Sequence, residues 1–367
     1  MLRKINIKNI GWFTLSILCY LILSYEGFIK YAFILLIAMV GLGLRDFCVS
    51  SKWLVVLVAP GCYFFAGFLA ALINLDITAN TFKEACFVLI PAIAAISIFN
   101  VVQLEDICDL LDTQFWALAI ISILRTTASA EDLFESQYAF VLGAYVIYYY
   151  AFKRKAMFCV ATLFAYLAHK RIAFAAVIMC ILLYTVIMSF KRKQIQKWII
   201  NLVVIVTVCA SYLWVAGVRL GIVKDILLKL HIESNGRINI WSKFDEYYKF
   251  GVQFWGRGIG FVASRLEDIQ IAAFANLHND LMRMYIETGF WGFGLCIFAY
   301  FYIIRKSNRD SGIATCRNVL LVSLVVYTFI NYLTDNILIY INYWLPVYLL
   351  FLGIMYAPLK GEKELQV

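Results

Sequence analysis

The charged residues of this chain fall in short clusters, and between them run apolar stretches of a dozen to two dozen residues with almost no charge. That alternation constrains the fold more than any motif. A charge held in hydrocarbon costs about 2.5 kcal/mol or more, whereas an apolar helix of roughly 20 residues crosses about 30 Å of it with its backbone polar groups satisfied internally. The 63% hydrophobic and 15% charged content lies well outside the range of soluble domains, so the bilayer is the expected solvent. Twelve runs qualify as spans: 10–25, 31–44, 53–75, 85–102, 113–124, 139–152, 156–168, 172–190, 198–218, 285–304, 318–333 and 337–356. The expected fold class is all-α: one polytopic integral membrane domain over residues 1–367 with about 12 transmembrane helices. Arg3, Lys4 and Lys8 precede an apolar stretch as in a signal peptide, but no small-residue cleavage site follows through Tyr25, so the run reads as the first span.

The basic residues set the orientation. With both termini inside, inner segments hold eighteen Lys and Arg, against five in short outer segments, Lys30, Lys83, Arg125, Lys170 and Arg171. The expected topology therefore has cytoplasmic termini. The net charge of +9 is scattered through loops, with no basic domain or aromatic–basic platform, which argues against nucleic acid as a partner. The ten cysteines sit in or beside apolar runs and read as packing residues, with no disulfide framework or metal knuckle.

One long polar segment, residues 219–277, interrupts the pattern and falls outside. It has no Pro, Ser or Gly tract and keeps many aromatic and aliphatic residues, so it is expected to fold against the membrane. Leu220, Val223, Leu227 and Leu230 recur at helical spacing with Lys224, Asp225 and Lys229 between them, as in an interfacial helix. A second helix is expected over Ile238 to Phe250, with Trp241, Phe244 and Tyr248 on one face. Gly251 and the Gly256–Gly260 stretch then predict a turn.

Few residues here can carry chemistry. Of three histidines, His278 in Asn276-Leu277-His278-Asn279-Asp280 stands just before a span on the outer face, and imidazole is the natural acid/base group near neutrality. An interfacial hydrogen-bonded histidine is the plainer alternative. No second His or Cys lies at ligand spacing, so neither a metal nor another cofactor is expected. Arg237 follows the turn Ser234-Asn235-Gly236, and a guanidinium suits bidentate binding of phosphate. Lys170 and Arg171 oppose the inside bias at the mouth of a span, where function and snorkelling compete as explanations. Gly256-Arg257-Gly258-Ile259-Gly260 lacks the preceding strand and the following Lys-Ser/Thr of a nucleotide loop, so it reads as a tight turn with Arg257 available to an anion.

Lys170-Arg171-Ile172-Ala173-Phe174, then Gly236-Arg237-Ile238-Asn239-Ile240-Trp241, Gly258-Ile259-Gly260, and Leu277-His278-Asn279-Asp280 followed by Glu287-Thr288-Gly289 resemble, in order and placement, the O-antigen ligase and polymerase superfamily. The resemblance covers about residues 165–305. It implies a metal-independent glycosyltransferase of the bacterial cytoplasmic membrane, moving a glycan from undecaprenyl diphosphate to an acceptor hydroxyl at the outer face. Carried over by motif, Arg171 and Arg237 clamp the diphosphate and His278 is the acid/base residue, with Arg237 also counted as catalytic and Lys170 beside the clamp; Arg257 and Arg283 match no firm pattern of the family and are secondary anion-binding candidates. The implied partners are the lipid-linked oligosaccharide, membrane lipid, a flippase and a chain-length regulator. A polymerase of surface polysaccharide repeats is the expected activity. A ligase transferring finished glycan to lipid A core, and less readily a flippase, are the alternatives; the absence of a repeat between the halves argues against a transporter.

Overall fold

The computed structural model describes residues 7–23, 32, 35–36, 38–39, 53–128, 136–232, 234, 236–268, 276–307 and 314–356. All regular structure among them is helical. In chain order the helices are α1 (Ile7–Leu23), α2 (Val58–Ile73, entered through a 3₁₀ turn at Trp53–Leu57), α3 (Ala79–Val101), α4 (Ile107–Ala128), α5 (Tyr138–Ala151), α6 (Lys155–Leu167), α7 (Arg171–Ser189) and α8 (Lys193–Arg219). After these come the short α9 (Ile222–Lys229), α10 (Arg237–Lys243) and α11 (Phe261–Asp268), then α12 (Asp280–Ser307), α13 (Ala314–Tyr332) and α14 (Ile341–Tyr356).

Among the described residues, six helices are long and apolar enough to cross a membrane, and five more are apolar but shorter. These eleven coincide with eleven of the twelve apolar runs, and the chain is a polytopic membrane protein. The remaining run, 31–44, lies outside the described residues apart from a few positions.

Two of the short helices, α5 and α14, form the axis of the bundle and are buried along almost their whole length. Their lengths, roughly 21 and 24 Å, fall below the hydrocarbon thickness. A helix surrounded by protein need not match the bilayer, because its ends meet other helices and polar turns rather than lipid. By contrast, α8 leaves Leu202, Ile205, Val206 and Leu213 exposed, as a helix facing acyl chains does. Around the axis, α5 packs on α6 and α7, α13 on α7, α14 on α3, α1 on α4, and α12 on α2. Since lipid is as apolar as leucine, these contacts are held by close packing and interhelical hydrogen bonds rather than by exclusion of water. One such bond runs from the Tyr327 hydroxyl on α13 to the Phe140 carbonyl on α5 (2.8 Å).

The segment between α8 and α12 folds on the bundle with three short helices, as its aromatic content predicts. Helix α9 turns Val223 inward and leaves Ile222 and Ile226 exposed. The second expected helix is shorter than its periodicity suggests: α10 ends at Lys243, and turns at Phe244 and Tyr247 replace it. The face persists nonetheless, since Trp241, Phe244 and Tyr248 are all buried. Tertiary burial of the aromatics outweighs the weak intrinsic preference for continuing so short a helix.

The glycine stretch is a clasp. Helix α12 breaks at Gly289 (φ 73°, ψ −179°), a conformation open essentially only to glycine. The carbonyls freed around the break accept from the clasp: Arg257 N–H donates to Ile286 O (2.8 Å) and Gly258 N–H to Glu287 O (3.0 Å), while Phe290 N–H donates to Phe254 O (2.8 Å). Ile259 N–H reaches Gly67 O on α2 (3.0 Å). A Cβ on Gly258 would lie 2.6 Å from the Ala71 backbone, so the approach of loop to helix requires the bare residue. A broken helix is tolerable inside a membrane protein when other protein groups satisfy its free backbone in this way.

Candidate active site

The start of α12 carries His278. Asn279 caps the helix by accepting from Met282 N–H (3.0 Å), and Asp280 is fully buried, accepting from Leu338 N–H (2.7 Å). His278 has left-handed backbone (φ 52°), as do His169 and His231, and its N–H donates to Asn336 Oδ1 (2.8 Å). Thus two side chains tie the start of α12 to the turn 333–340 that joins α13 to α14.

That turn supplies Asp335, a buried carboxylate on which the polar groups converge. Lys170 Nζ lies 3.2 Å from Asp335 Oδ2, and His278 Nδ1 lies 4.0 Å from Asp335 Oδ1. Tyr340 Oη donates to Asp335 Oδ1 (3.4 Å), and Asn336 N–H donates to the same oxygen (2.9 Å). The lysine is largely buried, with a side chain 13% exposed, and sits over the Phe140 ring at 5.9 Å; the His278 side chain is 26% exposed. Opposite charges at this distance offset part of the cost of removing each from water.

Arg237 opens α10, and Gly236 before it takes the left-handed conformation (φ 77°) that turns the chain into the helix. Trp241, one turn on, donates its indole N–H to Leu277 O (2.9 Å), the carbonyl preceding His278. This bond fastens α10 to the entry of α12. Burial, joined by the Asp335 and Asp280 carboxylates, holds the Tyr340 phenol well above its usual range, and the nearby Arg237 guanidinium opposes them. Arg237, half-buried, opens the helix that the Trp241 bond fastens to the residue before His278. Arg171 stands beside Lys170 as the first residue of α7, exposed, with no ion pair to a described residue.

Arg257 and Arg283 are placed elsewhere. The Arg257 side chain donates from Nε to Tyr247 O (2.8 Å), and its guanidinium lies 5.9 Å from the Phe261 ring, at the clasp. Arg283 is 3% exposed and faces two carboxylates, Glu84 on α3 (2.7 Å) and Glu287 on its own helix (3.6 Å). Glu287 also accepts from Val262 N–H (3.2 Å) and from the Tyr63 hydroxyl on α2. This buried cluster joins α2, α3, α11 and α12 behind the clasp.

Sequence reasoning missed Asp335 and Tyr340. Both fall at the edge of what reads as the last apolar run, and a lone Asp beside Asn336 carries no spacing signal. The weak clue was charge itself: an aspartate bordering a span is costly without a partner, and Lys170 was the unexplained cation.

The fold and site define a polytopic membrane protein in which a Lys, a His and an Asp meet at the entry to α12. Residues 156–297 match the family model described as O-Antigen ligase, which supports membership of the O-antigen ligase and polymerase superfamily. The matched segment holds Lys170, Arg171, Arg237 and His278, whereas Asp335 lies beyond it. No curated protein and no solved structure matches the chain.

Proposed function

We propose that the protein polymerises surface polysaccharide repeat units, transferring a glycan from undecaprenyl diphosphate to a hydroxyl of another lipid-linked repeat at the outer face of the bacterial cytoplasmic membrane. The observation that carries this reading is the meeting of Lys170 and His278 on Asp335 at the entry to a span, where a bond from Trp241 also anchors the helix that Arg237 opens.

A lipid diphosphate is already an activated donor. The enzyme has to stabilise charge as the bond from the anomeric carbon to the diphosphate oxygen breaks, and to accept a proton from the incoming hydroxyl. In this reading His278, with Nδ1 turned toward Asp335, takes the acceptor proton on Nε2, and Asp335 stabilises the resulting imidazolium. Arg237 and Arg171 hold the diphosphate, which leaves with the bonding electron pair. Lys170 faces Asp335 and adds positive potential at the same place. Arg283, enclosed by Glu84 and Glu287, braces the clasp, and Arg257 ties the clasp to the turn at Tyr247.

The matched family's description as a ligase favours a second reading, transfer of finished polymer to lipid A core or another acceptor. A deletion strain separates the two. Single repeats attached to the acceptor, with longer chains lost, mark a polymerase; full polymer retained on the lipid carrier marks a ligase.

A further inference from the structure

Helix α7 runs roughly 28 Å from Arg171 to Ser189, about a bilayer's thickness. The end around Met188 therefore faces the leaflet opposite to Lys170 and His278. There a cleft of about 550 Å³ opens between α5, α6 and α7, lined among others by Tyr150, Lys153, Lys155, Phe158, Tyr184 and Met188.

Its charge is arranged unevenly. Arg154 turns inward and is neutralised by Asp112 through two bonds, Nη1 to Oδ1 (2.6 Å) and Nη2 to Oδ2 (2.8 Å), with its guanidinium 5.0 Å from the Tyr149 ring. The residues on either side, Lys153 and Lys155, are exposed and form no ion pair with a described residue. Lys153 adopts a left-handed conformation (φ 53°), held by its own N–H to Tyr150 O (3.0 Å) and by Arg154 N–H to Tyr149 O (3.0 Å). The tight turn that sends the arginine in leaves both lysines at the cleft, where the positive end of α6 also opens.

The walls are apolar and aromatic. The Tyr150 ring lies 5.6 Å from Phe158 and 6.0 Å from Tyr184, and beyond Met188 helix α7 exposes Val186, Leu182 and Met179 in succession. We propose that this cleft binds an anionic phospholipid, its phosphate between Lys153 and Lys155 and one acyl chain along the exposed side of α7. A soluble anion would use the lysines but leave the aromatic wall and the apolar track unmatched; a zwitterionic lipid would use the track but cancel the charge. The inference does not depend on the glycan chemistry at the other end of the bundle.

The test uses the purified full chain in a neutral detergent, titrated with phosphatidylglycerol, phosphatidylcholine or inorganic phosphate and followed by native mass spectrometry and thermal unfolding. Phosphatidylglycerol is expected to bind and stabilise in preference to phosphatidylcholine, with inorganic phosphate failing to displace it. Lys153→Gln and Lys155→Gln are each expected to weaken phosphatidylglycerol by about fivefold, and the Lys→Arg pair to retain it. Equal binding of phosphatidylglycerol by the wild type and the double Gln variant, or equal affinity for the two lipids, overturns the proposal. Displacement by inorganic phosphate overturns it in favour of a soluble anion.

Discussion

Lys170 Nζ and His278 Nδ1 approach opposite oxygens of one buried carboxylate, at 3.2 and 4.0 Å, although one residue precedes α7 and the other precedes α12. Asp335 thus couples a cation and an acid/base group that the chain holds far apart. Its Oδ1 also accepts from Tyr340 and from Asn336 N–H, so its orientation is not free.

Asp335→Asn preserves size and most hydrogen bonds but removes the charge that faces Lys170 and His278. Glycan transfer is expected to fall by about 100-fold, with inserted protein near the wild-type amount. Polysaccharide chain length on gels, set against immunoblotted membrane protein, measures both. Normal chains from the Asn variant would remove Asp335 from the mechanism.

His278→Ala and Arg237→Ala are expected to abolish polymer while leaving the protein abundant in the membrane. Arg237→Lys keeps the charge and loses the planar fork, for an expected drop of about tenfold or more. Arg171→Lys should show a loss of the same kind. Full activity in Arg171→Lys would leave that side chain with only an interfacial role.

Arg283→Met strands Glu84 and Glu287 in a buried site with no cation between them. The expected cost is about 3–5 kcal/mol of stability. Adding Glu84→Gln and Glu287→Gln should restore most of it. Thermal unfolding of the single and triple variants decides the matter, and a stable Arg283→Met with a raised KM would instead make Arg283 a substrate ligand.

Gly289→Ala drives a Cβ into the Trp255 carbonyl carbon at a backbone angle closed to alanine. A loss of about 3 kcal/mol or more is expected, read as reduced yield and a lower unfolding temperature. Gly61→Ala, in α2 with open space around it, is the control and should be neutral or stabilising by up to about 1 kcal/mol.

Much of the bundle was legible because membrane insertion is a local property: an apolar run of sufficient length is a helix wherever it sits. The ends were less so. The run 337–356 merges two different things, a buried 3₁₀ turn at Ile337–Ile339 that serves the polar cluster and the helix Ile341–Tyr356. Hydropathy cannot separate them, since a turn buried in protein is as apolar as a span. The same limit hid Tyr63, which lies within an apolar run, and Glu84, which borders one; both acquire meaning only beside Arg283 and Glu287.

By itself the sequence determined the helical class and the presence of a folded segment between α8 and α12, and it narrowed the candidates for the proposed chemistry to a few cations and one histidine. Those follow from composition and residue chemistry, which act at each position independently. Only the tertiary structure decided that Lys170 and His278 meet at Asp335 and that the helix opened by Arg237 is fastened to the residue before His278, while Arg257 and Arg283 are drawn into the clasp and its buried ion cluster. That division depends on which helices pack together, and on the rule that a buried charge must find its partner across the fold, wherever in the chain the partner lies.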